Sequence, residues 1–167
     1  MAGAFDDAAI APDTARGRDW PCLRQFCVFM ENRVGRLSDL LRQIERHDIR
    51  VLALSVVDTV DFAVARIIVN ETDRVRELLQ MSDFTVIEND VLGVELPSDA
   101  QPFIEIFRPL MSAELNINYL YPLLYRRRGR GAIALHVDDV DQAGEILQAQ
   151  GHRLLTEGDL VHDDEDL

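Results

Sequence analysis

The stretch that decides the fold is Phe26–Leu41, FCVFMENRVGRLSDLL, which has the pattern of a strand, a tight turn and the start of a helix. Its first five residues are an apolar run with aromatic and branched side chains, which is typical of a buried strand. After Gly35, apolar residues recur at the i, i+3, i+4 and i+7 spacing of one helical face. These residues are Leu37, Leu40, Leu41 and Ile44.

The turn at Gly35 has properties that suit a bound anion. Glycine has no side chain, so a small molecule can approach the backbone N–H groups of the turn. The first N–H groups of a helix have no partner within the helix, and their partial positive charge suits a carboxylate. The simpler alternative, that Gly35 only makes the turn, is the commoner role of an isolated glycine. The residues alone leave both interpretations open.

The rest of the first half completes a β-α-β-β-α-β pattern. Ile49–Val60 and Phe62–Val69 are dense in β-branched residues and predict a hairpin. A second helix begins near Thr72, and Phe84–Glu88 is the fourth strand.

The second half repeats the first. The apolar helix face of the first half recurs 66 positions later at Phe103, Ile106, Phe107 and Leu110. An offset shared by several elements indicates an internal duplication. The second copy has strands at Asp90–Leu96, Asn116–Tyr125, Gly131–Val137 and Arg153–Thr156. The sequence therefore predicts an α+β fold of two tandem ferredoxin-like units, with antiparallel sheets side by side and helices on one face.

The predicted boundaries give a flexible N-terminal tail at 1–21, a first domain at 22–89, a second at 90–160 and an acidic C-terminal tail at 161–167. Helices cover one sheet face of each unit, which leaves the other face and the sheet edges to be satisfied. Apolar surface of this kind is rarely left exposed on a monomer, so we expect a homodimer.

The composition disfavours several classes of partner. The chain has 167 residues and a net charge of −13, which argues against nucleic acid or an anionic membrane. The basic run Arg126–Arg130 lies at a predicted hairpin tip, where a solvated loop is the simpler interpretation. RNA-recognition modules share this strand order, but they need paired aromatic residues that the third strands FAVARIIV and GAIALHV lack. No apolar run reaches the ~18 residues of a membrane span.

Catalytic and metal-binding patterns are missing from the sequence. The four histidines are scattered without a nucleophile in a triad-like context, and no phosphate-binding glycine-rich loop occurs. The two cysteines, Cys22 and Cys27, complete no zinc pattern and are interpreted as reduced thiols of a cytoplasmic protein. We expect no catalytic residues, no metal and no cofactor.

The two units, with Asn32-x-x-Gly35-x-Leu37 between the first strand and helix, resemble a tandem pair of ACT domains. The segments Asn116–Tyr121 (NINYLY) and Leu154–Leu160 (LLTEGDL) resemble the same proteins. The resemblance implies a noncatalytic regulatory protein of the standalone type. It also implies an amino acid or similar small ligand and a regulated enzyme or protein partner. A dimerisation module without a ligand is the alternative.

In ACT domains the ligand lies where the strand-to-helix loop of one module faces the second strand of its neighbour. Carried over to this sequence, the resemblance implicates the first loop and part of the second copy. The residues are Asn32, Arg33, Val34, Gly35, Arg36, Leu37, Asn118, Tyr119 and Tyr121. The two tyrosines either line the pocket or pack against the neighbouring module. The second copy has Ser98–Pro102 in place of the glycine turn, so an equivalent second site is not implied.

Overall fold

The computed structural model of the chain describes residues 21–161. The predicted N-terminal and C-terminal tails therefore lie almost wholly outside the described residues. The strands are β1 (Leu23–Glu31), β2 (Val51–Asp58), β3 (Phe62–Val69), β4 (Thr85–Glu95), β5 (Ile117–Pro122), β6 (Ala132–Val137) and β7 (Leu154–Leu155). The helices are α1 (Arg36–Arg46), α2 (Thr72–Gln80), α3 (Pro102–Ser112), α4 (Val140–Ala149) and α5 (Glu157–Val161).

The internal repeat is present in the structure as two β-α-β-β-α-β units. Helix α3 has the same length as α1 and begins 66 positions later, at Pro102 instead of Arg36. Strand β5 follows β2 by the same interval. Asp139 caps α4 as expected, because its carboxylate accepts a hydrogen bond from the Gln142 N–H at 2.9 Å. The predicted fold of two tandem ferredoxin-like units is thus confirmed.

The two units share one strand, which the sequence interpretation divided in two. Strand β4 pairs with β1 through its first half and with β6 and β7 through its second. The result is a seven-stranded sheet in the order β2-β3-β1-β4-β6-β5, with β7 also paired to β4. Residues 85–92 contain neither glycine nor proline, so nothing interrupts the extended backbone at Asn89 and Asp90.

The described residues form three apolar cores. One lies between the first half of the sheet and helices α1 and α2, and an equivalent one lies under α3 and α4. The third lies on the face of the sheet opposite α1–α4 and draws from both units, with Leu23, Leu52 and Tyr121 among its members and Leu160 of α5 packed into it. The Leu124 N–H also donates to the Leu52 carbonyl at 2.7 Å. A homodimer is expected from the sequence because one sheet face of each unit would otherwise be exposed. Part of that face in the first unit is covered by the second unit of the same chain.

Gly93 lies in β4 where strands from both units meet. A Cβ at this position would stand 2.6 Å from Leu23 Cδ1 and 3.2 Å from Leu155 Cβ. We expect Gly93→Ala to lower the free energy of unfolding by roughly 1–3 kcal/mol through overpacking. Urea denaturation measures the change. Gly131→Ala is the matched control, because its Cβ would meet only an ordinary contact at 3.7 Å; equal stability losses in the two variants would contradict the overpacking explanation.

Candidate functional site

The turn between β1 and α1 has the backbone geometry that the sequence suggests. Gly35 is the N-cap of α1, with φ 93° and ψ −19° in the left-handed region, and no side chain caps the helix. Within residues 21–161, the N–H groups of Leu37 and Ser38 donate to no acceptor. A Cβ on Gly35 would meet nothing within 4 Å, and the neighbouring Val34 is fully exposed. The turn therefore presents open space beside unused N–H donors.

The β2–β3 hairpin fixes the position of this turn. The Asn32 N–H donates to the Asp61 carbonyl at 3.0 Å, and Asn32 Nδ2 donates to the Thr59 carbonyl at 2.9 Å. The Asn32 amide thus joins the turn to the hairpin. Its Oδ1 accepts no hydrogen bond from any residue between 21 and 161, so it remains available as an acceptor.

The two arginines of the turn differ in their surroundings. Arg33 is solvent-exposed and pairs with Glu31 at 3.1 Å. Arg36 is largely buried, with its guanidinium 4.4 Å from the centre of the Phe84 ring and 3.4 Å from the Asp83 carboxylate. Arg36 therefore packs along the side of its own unit, whereas Arg33 remains in solvent above the turn.

An open cleft of about 960 Å³ begins at the first turn of α1. Leu37 and Ser38 line one end of it, and Arg50 and Asn70 line the region where β2 begins and β3 ends. Its volume lies within the range of small-molecule sites, although such sites are usually more enclosed. Within the described chain, no group of three or more metal-ligating side chains converges. None of the helices between residues 21 and 161 has the length and apolar character needed to cross a bilayer.

The remaining predicted site residues lie elsewhere in the chain. Tyr119 and Tyr121 contact Gln25 at the beginning of β1, whereas Asn32 follows its end. Seven residues of extended strand separate these ends by about 20 Å. Within one chain the turn and the β5 tyrosines therefore line different regions, and a pocket containing both would need a second chain.

The β5 tyrosines belong to a polar cluster, here called the seam, at which the two units meet; its centre is buried and Asn118 lies exposed at its margin. It consists of Gln25, Cys27, Arg66, Asn89, Asn118, Tyr119, Tyr121 and His136. Gln25 is fully buried, and its Nε2 donates to the Tyr119 hydroxyl at 2.7 Å and to Asn89 Oδ1 at 2.8 Å. The Tyr121 hydroxyl donates to Gln25 Oε1, and burial raises the pKa of Tyr121. One glutamine thus connects three strands from both units.

A stack of rings forms the outer side of the seam. The Arg66 guanidinium lies 3.8 Å from the centre of the Tyr119 ring, and the opposite neighbour of that ring is His136, 4.7 Å away and nearly parallel. Asn118 Nδ2 lies 3.0 Å from His136 Nδ1. Because an amide nitrogen only donates, the imidazole accepts through Nδ1 and carries its proton on Nε2.

The pKa of His136 leads to a prediction about stability and pH. Burial, and then the charge of Arg66, lowers this pKa from its ordinary value of 6.5. As the pH falls, the unfolded chain therefore takes up a proton on this histidine before the folded chain does. The stability that neutral His136 contributes to the folded state is complete above pH 6.5 and is lost below it. We expect stability to fall less steeply in His136→Gln than in the parent between about pH 7.5 and about pH 5.5. Parallel urea-denaturation profiles for the two proteins would contradict this.

Sequence reasoning missed Gln25, Arg66 and His136 as members of one cluster. A signal for them exists, because each interrupts or borders an apolar strand at a position where a polar side chain is costly to bury. Arg66 lies inside FAVARIIV, and His136 lies inside GAIALHV. Only the packing of the two units shows that these side chains share one region.

Comparisons with known proteins agree with the architecture. The profile of the family described as an ACT domain pair matches residues 22–163. A crystal structure of a protein from Bacteroides thetaiotaomicron is similar, with 24% identity and a TM-score of 0.77 over 84% of this chain and 96% of that one. The regulatory subunit of aspartate kinase from Thermus thermophilus, in its ligand-free form, is 12% identical with a TM-score of 0.56. That match covers 79% of this chain and 94% of that one.

No curated protein matches this sequence. At these identities the solved structures establish a shared fold. The profile match extends over nearly all of the described residues and both repeated units. This chain therefore belongs to the ACT domain pair family.

Proposed function

We propose that this chain is a noncatalytic regulatory protein of the cytoplasm that binds an amino acid at the Gly35 turn. The observation that carries the proposal is the left-handed glycine beside the unused N–H groups of Leu37 and Ser38. A ligand carboxylate would accept from these donors, where the helix dipole also favours negative charge. The free Oδ1 of Asn32 would accept from the ligand's ammonium group.

The ligand side chain would lie in the cleft that starts at Leu37 and Ser38 and runs along α1. The cleft is mostly apolar near Leu41 and Val51 and carries charged groups at Arg42 and Glu45. This mixture accommodates an amino acid with an aliphatic body better than a highly charged metabolite. The similarity to a regulatory subunit of aspartate kinase supports a regulated enzyme as the partner of this chain.

A homodimer would complete the site. The turn and the adjacent hairpin expose several apolar side chains, of which Val34, Val60 (91% exposed) and Phe62 (59% exposed) are the most exposed. Solvent-facing apolar groups that cluster in this way commonly mark a contact with another chain. A second copy that covered them would also close the open side of the ligand site. Binding would then bias the packing of subunits, which is the differential contact that a ligand-driven switch requires.

A thermal-shift screen of the common amino acids tests the proposal. An amino acid present at about 100 times its Kd adds roughly 2.7 kcal/mol to the stability of the folded protein. We expect a concentration-dependent rise in Tm for at least one amino acid and for no matched compound that lacks the carboxylate. Titration calorimetry on each hit then gives the affinity and the stoichiometry per chain.

The second candidate is a dimerisation module without a ligand. The exposed apolar side chains of the β2–β3 hairpin favour it, because they fit a protein contact without any small molecule. A stable dimer by sedimentation, together with a screen in which no amino acid changes Tm, would select this alternative.

A further inference from the structure

Arg66 is partly buried in this acidic protein but lies on a strand without a carboxylate of the described chain beside it. Between residues 21 and 161 it forms no ion pair and donates no hydrogen bond to an oxygen, and its Nε is buried without a partner. Between residues 21 and 161, three of the other four partly buried arginines have a carboxylate partner, whereas Arg127 on the loop between β5 and β6 has none. The three pairs are Arg24–Asp90, Arg36–Asp83 and Arg76–Glu88. A guanidinium placed this way holds an uncompensated positive charge.

The surroundings hold the Arg66 guanidinium in place without neutralising it. Tyr119 covers it with its ring, and His136 supports that ring from the other side. Its charge acts on its neighbours, since it lowers the pKa of His136 and opposes the effect of burial on the pKa of Cys27. A guanidinium ordered by stacking loses little freedom when its donors meet an anion, and its fork suits a carboxylate.

Apolar side chains continue the same sheet face beside Arg66. The strand register places Arg66 opposite Cys27, and Val64 opposite Phe29. Ile87 lies opposite Cys27 on the next strand and is 54% exposed. Residues that are paired across strands, or two apart along one strand, share a face. The guanidinium therefore borders an apolar surface formed by Phe29, Val64 and Ile87 that remains open to solvent.

We propose that Arg66 anchors a second small-molecule site, for an organic carboxylate whose apolar body packs on Phe29, Val64 and Ile87. The site lies on the face of the first unit opposite α1 and α2, and its floor consists of different side chains from those at the Gly35 turn. Occupancy would place an anion at the junction where Tyr119 and His136 of the second unit meet the first. A ligand here would lie beside the contact between the two units, and its binding would be independent of the amino-acid site.

The test uses hexanoate as the probe, followed by amide NMR titration of the full chain. We expect saturable shifts at Phe29, Val64 and Ile87, and an affinity that falls about tenfold or more in Arg66→Gln. Arg66→Lys should retain part of the affinity, because it keeps the charge but lacks the planar fork. Hexanamide, which has the same body without the charge, should bind at least about tenfold more weakly.

Several results would overturn the proposal. These are the absence of any shift at millimolar hexanoate, equal binding by Arg66→Gln, and equal binding of hexanamide. If inorganic phosphate bound as tightly as hexanoate, the apolar surface of Phe29, Val64 and Ile87 would add nothing to the affinity, and that part of the proposal would be refuted. Dissociation of a dimer by Arg66→Gln would identify the anion as a carboxylate of a second copy and refute a small ligand. Gly35→Val should leave the affinity for hexanoate at the Arg66 site unchanged. The experiment therefore distinguishes a failure of the Arg66 proposal from a failure of the proposed amino-acid site at the turn.

Discussion

Gly35→Val is expected to weaken amino-acid binding about 10- to 100-fold while the protein stays folded. The valine side chain would occupy space in which nothing now lies within 4 Å, next to the N–H groups of Leu37 and Ser38. Loss of one charge-assisted hydrogen bond costs about 1.5–3 kcal/mol, so the affinity should fall by one to two orders of magnitude, or roughly 10- to 100-fold. Titration calorimetry with the amino acid found in the screen measures the loss.

The matched control for this variant is Gly151→Val. Gly151 also has a left-handed backbone, with φ 83°, and equally open surroundings, but it follows α4 in the second unit. Both variants should lose roughly 1–3 kcal/mol of stability from backbone strain. Only Gly35→Val should lose affinity. An unchanged affinity in folded Gly35→Val, or an equal loss in both variants, would place the site elsewhere.

Gln25→Met is expected to give the largest stability loss among single side-chain substitutions at the seam. Methionine matches glutamine in length but leaves Asn89 and the hydroxyls of Tyr119 and Tyr121 without their buried partner. Each unsatisfied buried group costs about 1–3 kcal/mol, and partial relaxation reduces the sum, so we expect a total of about 2–4 kcal/mol. Urea denaturation monitored by far-UV circular dichroism measures the change.

Gln148→Met provides the surface reference, because Gln148 is exposed on α4. That substitution should change the stability by no more than about 0.5 kcal/mol. If Gln25→Met unfolds at the same denaturant concentration as the parent, the hydrogen bonds of Gln25 do not hold the two units together.

Much of the fold could be predicted because its signals are local. The helical spacing of Leu37, Leu40 and Ile44 and the 66-residue repeat identify the elements and their duplication. The continuity of β4 could not be predicted in this way. Each half of that strand has its own apolar pattern, and only pairing with β1 on one side and β6 on the other joins them.

The candidate site likewise has one part that local sequence determines and one part that depends on residues distant in sequence. The Gly35 turn is encoded by neighbouring residues, so the sequence locates it. The seam depends on pairs such as Gln25 with Tyr119 and Tyr121, which are separated by 94 and 96 positions. No local pattern specifies which sheet faces of the two units meet. For that reason the sequence identified the two tyrosines as candidates but not their partners.

The central claim is that an amino-acid carboxylate binds the N–H groups at the start of α1. Amide NMR spectra of the ¹⁵N-labelled protein, recorded with each common amino acid in turn, test it most directly. The account predicts that at least one amino acid shifts the Leu37 and Ser38 amides saturably, with smaller changes at Asn32. If no amino acid shifts these amides, or if the saturable shifts concentrate at another region of the chain, the claim is contradicted.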